Sequence, residues 1–141
     1  MKKIILIGKS GSGKTTIVQA VKGEKIRYQK TQSLAYSDNI IDSPGEYIEN
    51  RRFYNALIIT SLDCDIIGLV QDSTDDHNIF PPNFVSMFNK DSIGIITKTD
   101  KIGGDILRAK EYLKLAGVKK IYKTSAFTGE GIDEIRSLID K

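Results

Sequence analysis

Apolar residues in this chain fall into short runs separated by polar loops of uneven length. Ile4-Ile5-Leu6-Ile7 is continuously apolar and closed by Gly8, the pattern of a strand buried on both faces. Ile17, Val18, Ala20 and Val21 then recur at helical spacing, with Gly23 as a stop. Residues 24–33 are polar and basic and read as a loop. Two short strands are expected over 33–37 and 39–41, and DSPGEY breaks the second. Ala56 to Ile59 mark a helix over 51–61, and Ile66 to Val70 another buried strand ending in Gln71-Asp72. DSTDDHNIFPPNF is loop-like, with a short helix over 84–88 after it. Ile93 to Ile96 form the next strand. Ile106, Ala109, Leu113 and Ala116 make an amphipathic helix over 105–116, stopped by Gly117. A last strand over 119–123 and a last helix over 132–139 complete the order.

Alternation of strand and helix predicts an α/β fold: a mainly parallel, twisted sheet with helices on both faces. Ligands of such sheets sit beyond the carboxyl ends of the strands. The polar signatures here follow strands repeatedly: after Ile7, Ile41, Val70, Ile96 and Lys123. The 141 residues suggest one domain, with no internal repeat. At 40% hydrophobic and 28% charged the composition is that of an ordinary globular chain. A net charge of +3 is too small to argue for nucleic acid or a membrane surface. One cysteine, Cys64, excludes an internal disulfide. The amino terminus lacks the long apolar region of a signal peptide, and no stretch is long enough to span a bilayer, so a soluble cytoplasmic protein is expected.

GKSGSGKT, Gly8 to Thr15, matches G-x-x-x-x-G-K-[ST] between an expected strand and an expected helix, the context the motif needs. Gly11 and Gly13 let successive N–H groups turn inward around phosphates, joined by Ser10, Ser12 and Thr16 at the helix entry. The helix beginning near Lys14 adds its positive end. Lys14 supplies a cation for the β- and γ-phosphates, and Thr15 a hydroxyl for Mg²⁺. DSPG, Asp42 to Gly45, offers a strand-end carboxylate to the metal and a glycine N–H to a γ-phosphate. Thr31, in the loop between them, either completes the metal shell or is an ordinary loop threonine.

IITKTD, Ile95 to Asp100, delivers a lysine and a carboxylate to another strand end. A carboxylate accepts two adjacent donors, as guanine N1–H and its amine present; adenine presents only one donor there. Asp100 therefore suits guanine. Lys98 can lay its stem across a base. Ser125, Ala126 and Phe127, in SAFTG, bring backbone N–H groups near the base carbonyl.

Gly8 to Thr15, Thr31, Asp42 to Gly45, Thr97 to Asp100 and Ser125 to Phe127 stand in the order of the Ras-like small GTPases, so the fold is expected to be a P-loop NTPase of small-GTPase type. RYQKTQ, DSPGEYIENRRFYNALIIT, LVQDST, IFPPNF and LAGVKKIYKTSAFTGEGI together resemble the EutP/PduV family of ethanolamine- and propanediol-utilisation proteins, from Lys3 to about Leu138. The resemblance implies purine-nucleotide binding (GTP and GDP, with ATP kept open) and Mg²⁺ at Thr15, Thr31 and Asp42. It also implies a place in bacterial amine or diol catabolism, beside a microcompartment whose shell or fellow utilisation proteins are the partners.

Three departures from the small-GTPase pattern matter. Thr97 replaces the asparagine that normally ties the base loop to the phosphate loop, which predicts weaker guanine selectivity. Glu46 stands where many Ras relatives carry a water-orienting glutamine. An ionised glutamate cannot donate a hydrogen bond, and a base role requires a raised pKa, so slow turnover with Lys14, Gly45 and Glu46 as the catalytic set is expected. Ten residues separate Thr31 from Asp42, leaving little of the edge used by Ras-type effectors.

Three activities remain open: slow Mg²⁺-dependent GTP hydrolysis, an ATP-dependent kinase acting on acetate or a similar short acid, and non-enzymatic nucleotide-dependent docking. His77 reads as a solvated loop residue, and IFPPNF as either core or a docking surface, with core favoured.

Overall fold

The computed structural model describes residues 1–23, the backbone of 35–37, and residues 39–140. The whole 24–33 segment, Thr31 included, lies outside the described residues. The element order is β1 (Ile4–Ile7), α1 (Lys14–Lys22), β2 (Ala35–Ser37), β3 (Ile40–Asp42), α2 (Glu46–Glu49), α3 (Tyr54–Ser61), β4 (Ile66–Asp72), β5 (Asp91–Thr97), α4 (Ile106–Leu115), β6 (Lys120–Lys123) and α5 (Ile132–Asp140). The strands form one sheet in the order β2-β3-β1-β4-β5-β6. All neighbours run parallel except β2, which is antiparallel to β3.

β1 and β4 are buried along their whole length, as continuous apolar runs require when both faces are covered. Alternate residues of β1 enter two cores. Ile5 and Ile7 face Leu57 of α3 and Ala109 and Leu113 of α4. Ile4 and Leu6 face Ile17 and Val21 of α1 and Ile132, Ile135 and Ile139 of α5. Helices therefore cover both faces.

Local chemistry sets the helix limits. Gly23 ends α1 with φ 76° and donates its N–H to Ala20 O. Asp105 caps α4, accepting from Arg108 N at 3.0 Å. The expected helix over 51–61 is shorter than the sequence suggests. Asn50 Oδ1 accepts from Arg52 N at 3.2 Å, Arg51–Phe53 tighten into a 3₁₀ turn, and the α-helix starts at Tyr54. Conversely, DSPGEY does more than break a strand. Tyr47 N–H donates to Pro44 O and Ile48 N–H to Gly45 O, and this begins the single turn of α2.

The IFPPNF segment belongs to the core. Phe80, Phe84 and Phe88 are buried, and Phe84 packs edge-on against Tyr54 at 5.5 Å and Phe88 at 5.3 Å. Two backbone bonds, Asn83 N to Leu115 O and Val85 N to Ala116 O, fasten the segment to the end of α4. Phe84→Ala should therefore lower unfolding free energy by about 3–5 kcal/mol in denaturant titration. Phe127→Ala, at a 69% exposed side chain, should change it by less than about 0.5 kcal/mol.

Candidate nucleotide site

Strand register brings the polar loops together. Leu6 of β1 pairs with Asp42 of β3, setting the aspartate beside the loop that leaves β1. Asp72 of β4 pairs with Thr97 of β5, so both strands release their polar ends at one level. All of these loops leave the carboxyl edge of the parallel strands.

The phosphate loop turns through Gly11 (φ 79°) and Gly13 (φ 101°), conformations that side-chain-bearing residues rarely adopt. Lys14 opens α1 and is 5% exposed. Its ammonium donates to Gly8 O at 2.7 Å and Lys9 O at 3.1 Å. Burial pulls its pKa down to about 8, against the opposing pull of Asp42 and Glu49. The charged lysine is thus held where water cannot solvate it well, and an anion entering the loop would favour its charged form. Thr15 Oγ1 donates to Asp42 Oδ2 at 2.5 Å, joining α1 to the end of β3. These two oxygens are hard donors at the mouth of the loop and fit a magnesium ion. Ser43, wholly buried, donates its hydroxyl to Leu6 O at 2.6 Å and fixes DSPG against β1.

Ser12 turns its side chain under the loop, where Oγ is buried without a hydrogen-bond partner, and its N–H donates to Lys9 O. Gly8 is buried beneath the same loop, so a Cβ there would meet Ser12 Oγ and Val70 O, both at 2.7 Å. Gly45 lies directly on Ser10. A Cβ at Gly45 would stand 2.2 Å from Ser10 N, so only glycine permits this approach. Glu46 is exposed at the head of α2. Of the two glutamates of α2, the one that meets the phosphate loop is Glu49, whose Oε2 accepts from Ser10 Oγ at 3.1 Å. Sequence reasoning missed Glu49. The available signal was its place one helical turn after Glu46.

At the end of β5, Thr97 is buried and its Oγ1 donates to Ser12 O at 2.5 Å. The tie that an asparagine normally supplies is therefore made by the shorter threonine, whose side chain also rests 3.4 Å from a Cβ position at Gly13. Lys98 sits at φ 60°, a strained value for a lysine. Its ammonium donates to Gly11 O at 2.8 Å and pairs with Asp72 Oδ2 at 2.7 Å, while Asp72 Oδ1 accepts from Thr74 N and Oγ1. Asp72 is the second residue the sequence reading passed over: it holds Lys98 against the phosphate loop.

Asp100 is exposed, and its Oδ1 accepts from the hydroxyl of buried Ser125 at 2.8 Å. Thr99 stitches the two loops by donating to Thr124 O at 2.9 Å and to Glu130. Gly11, Gly13, Thr16, Lys98, Asp100, Lys101, Ala126 and Phe127 line a cleft of about 200 Å³. The structure thus gathers the phosphate-loop residues, Asp42, Gly45, Thr97, Lys98, Asp100 and Ser125 to Phe127 along one edge of the sheet. His77 lies outside this cleft, exposed and 2.8 Å from Asp76. Among the described residues, no helix is long and apolar enough to cross a membrane.

Residues 1–141 match the family described as "PduV-EutP: Ethanolamine utilisation - propanediol utilisation". The chain is 41% identical over 136 residues to the propanediol utilization protein PduV of Citrobacter freundii, across 96% of this chain and 91% of that one. It is 34% identical over 122 residues to a protein of Escherichia coli strain K12 named "Probable acetate kinase EutP", across 85% of this chain and 77% of that one. Its fold is similar to that of the bacterial selenocysteine-specific elongation factor EF-Sec, with a TM-score of 0.67 at 23% identity, over 99% of this chain and 28% of that one. By sequence and by fold together, the chain belongs to the PduV-EutP family, built on a P-loop domain of small-GTPase type.

Proposed function

We propose that the protein binds a purine nucleoside triphosphate, GTP in preference to ATP, together with Mg²⁺, and hydrolyses it slowly in the service of ethanolamine or propanediol utilisation. The observation that carries this reading is one sheet edge that sets Lys14 and the Thr15–Asp42 pair on the glycine loop beside a cleft lined by Gly11, Gly13, Lys98 and Asp100, with Asp100 held by Ser125. The pathway is supported by the family description and by the name of the Citrobacter relative. We assign it to the cytoplasm, beside the catabolic microcompartment.

In this reading Thr15 and Asp42, with Thr31, hold the metal. The metal would neutralise charge on the terminal phosphates. Lys14 and the N–H groups of the phosphate loop stabilise the negative charge that gathers on the β,γ-bridging oxygen as that bond breaks. A water oxygen forms the new bond to phosphorus, and its protons pass to phosphate and solvent. Glu46 stands exposed rather than enclosed over the loop, which leaves the water loosely positioned and argues for slow turnover. Asp100, oriented by Ser125, reads the base edge. Lys98, held by Asp72 and the Gly11 carbonyl, covers the base face.

A second reading, transfer of the γ-phosphoryl group from ATP to acetate or a similar short acid, is favoured by one observation: the E. coli relative carries the name of a probable acetate kinase. Both readings use Lys14 identically and differ in the acceptor.

Competition binding of GTP against ATP with Mg²⁺ tests the base site. Asp100→Ala should weaken GTP by about 10–100-fold, the range of one lost charged hydrogen-bond pair, while leaving ATP nearly unchanged. Equal binding of both nucleotides, insensitive to the mutation, would sink the assignment. Asp72→Asn should weaken both nucleotides by about tenfold, about 1.4 kcal/mol, because Lys98 serves either base. A loss confined to one nucleotide contradicts that role. Single-turnover assays with labelled triphosphate should show slow phosphate release abolished by Lys14→Ala. Acetyl phosphate appearing in Lys14-dependent fashion when acetate is added would transfer the conclusion to the kinase reading.

A further inference from the structure

The turn after DSPG places two glutamates three positions apart at the rim of the phosphate loop, and only the second reaches it. Pro44 and Gly45 start α2, and Glu49 N–H donates to Gly45 O at 3.1 Å, so Glu49 returns to the side of the turn on which Gly45 lies. Its carboxylate accepts from Ser10 Oγ, while the backbone of Gly45 rests on Ser10 N. Ser10 is thereby clasped by a backbone and an anion. The field of Glu49 extends to Lys14, where it opposes the effect of burial. In the nucleotide reading the last phosphate of a triphosphate would enter beside Ser10, Gly45 and Lys14, where Gly45 stands close against Ser10 and Glu49 adds a negative charge.

We propose that Glu49 is a specificity residue, a charge gate on the phosphate loop that makes the protein favour a nucleoside diphosphate over a triphosphate until its carboxylate leaves Ser10. The gate rests on the reading of this loop as a nucleotide site. A diphosphate needs the loop amides and Lys14 but not the rim beside Ser10. A third phosphate brings further negative charge towards a carboxylate well within one Debye length, where salt screens it little. Glu49 is exposed, so replacing it removes charge without opening the core. Glu111, exposed on α4 and outside the site, supplies a control for net charge.

The test is calorimetric titration, with Mg²⁺, of the diphosphate and of a non-hydrolysable triphosphate analogue. The guanine and adenine pairs are run in parallel, so that base preference does not enter. The wild type should favour the diphosphate. Glu49→Gln should shrink that preference by about tenfold, through tighter triphosphate binding at nearly constant diphosphate affinity, and Glu111→Gln should leave it in place. An unchanged preference in Glu49→Gln, with binding that still depends on Lys14, overturns the gate and leaves the nucleotide reading standing. Equal shifts in Glu49→Gln and Glu111→Gln also overturn it, since net charge alone would then account for the effect. Lack of Lys14-dependent binding of any of the four nucleotides in the wild type overturns the nucleotide reading and the gate with it.

Discussion

The site depends on a buried lysine. Lys14 stands at the start of α1 with its ammonium on two carbonyls of its own loop, and burial lowers its pKa to about 8. Such a charge is tolerable only because Gly8 and Lys9 offer their carbonyls inward, which in turn requires the loop to bend through Gly11 and Gly13. The carbonyls that hold the charge are satisfied only within the protein. An anion would be held by the loop amides and by Lys14 together. The loop is therefore organised around a charge that ligand binding would compensate.

Everything else around the loop keeps that bend in place. Thr97 donates to Ser12 O, Lys98 crosses the loop to Gly11 O, Thr15 ties it to Asp42, and Ser10 meets Glu49 and Gly45. These partners come from two strand ends, Thr97 and Lys98 from β5 and Asp42, Gly45 and Glu49 from β3 and the turn that follows it. The parallel register makes this possible, because β3, β1, β4 and β5 all release their polar residues on the same edge. The two cores on either face hold the strands in that register. Packing far from the cleft, such as that of Phe84, thus supports the position of groups within it only indirectly.

The strained backbone at Lys98 belongs to the same economy of contacts. A lysine at φ 60° is unfavourable by itself, and here the pair with Asp72 and the bond to Gly11 O offset that strain. Thr99 and Ser125 lock the neighbouring loop to the end of β6, so the strain cannot relax by local unwinding.

Much of the fold was legible in the sequence because hydrophobic period and loop chemistry agreed. Continuous apolar runs became β1, β4 and β5, and glycine stops closed the helices at Gly23 and Gly117. The motif residues also announced themselves, since a phosphate loop needs fixed spacing along the chain. Less legible were residues whose importance comes from who sits opposite. Asp72 reads as an ordinary strand end until the register sets it beside Lys98. Glu49 reads as a solvated helix charge until α2 folds onto Ser10. Thr97 looked like a weakened tie, yet strand β5 brings its short hydroxyl within reach of Ser12 O. By itself the sequence determined the order of the main strands and helices, the glycine-and-lysine loop motif after β1 and the place of Asp100 just past a strand end, all of which are local or periodic properties. Only the tertiary structure decided that Glu49 rather than Glu46 meets Ser10 and what anchors the loop after β5, because those depend on contacts between segments distant in the chain.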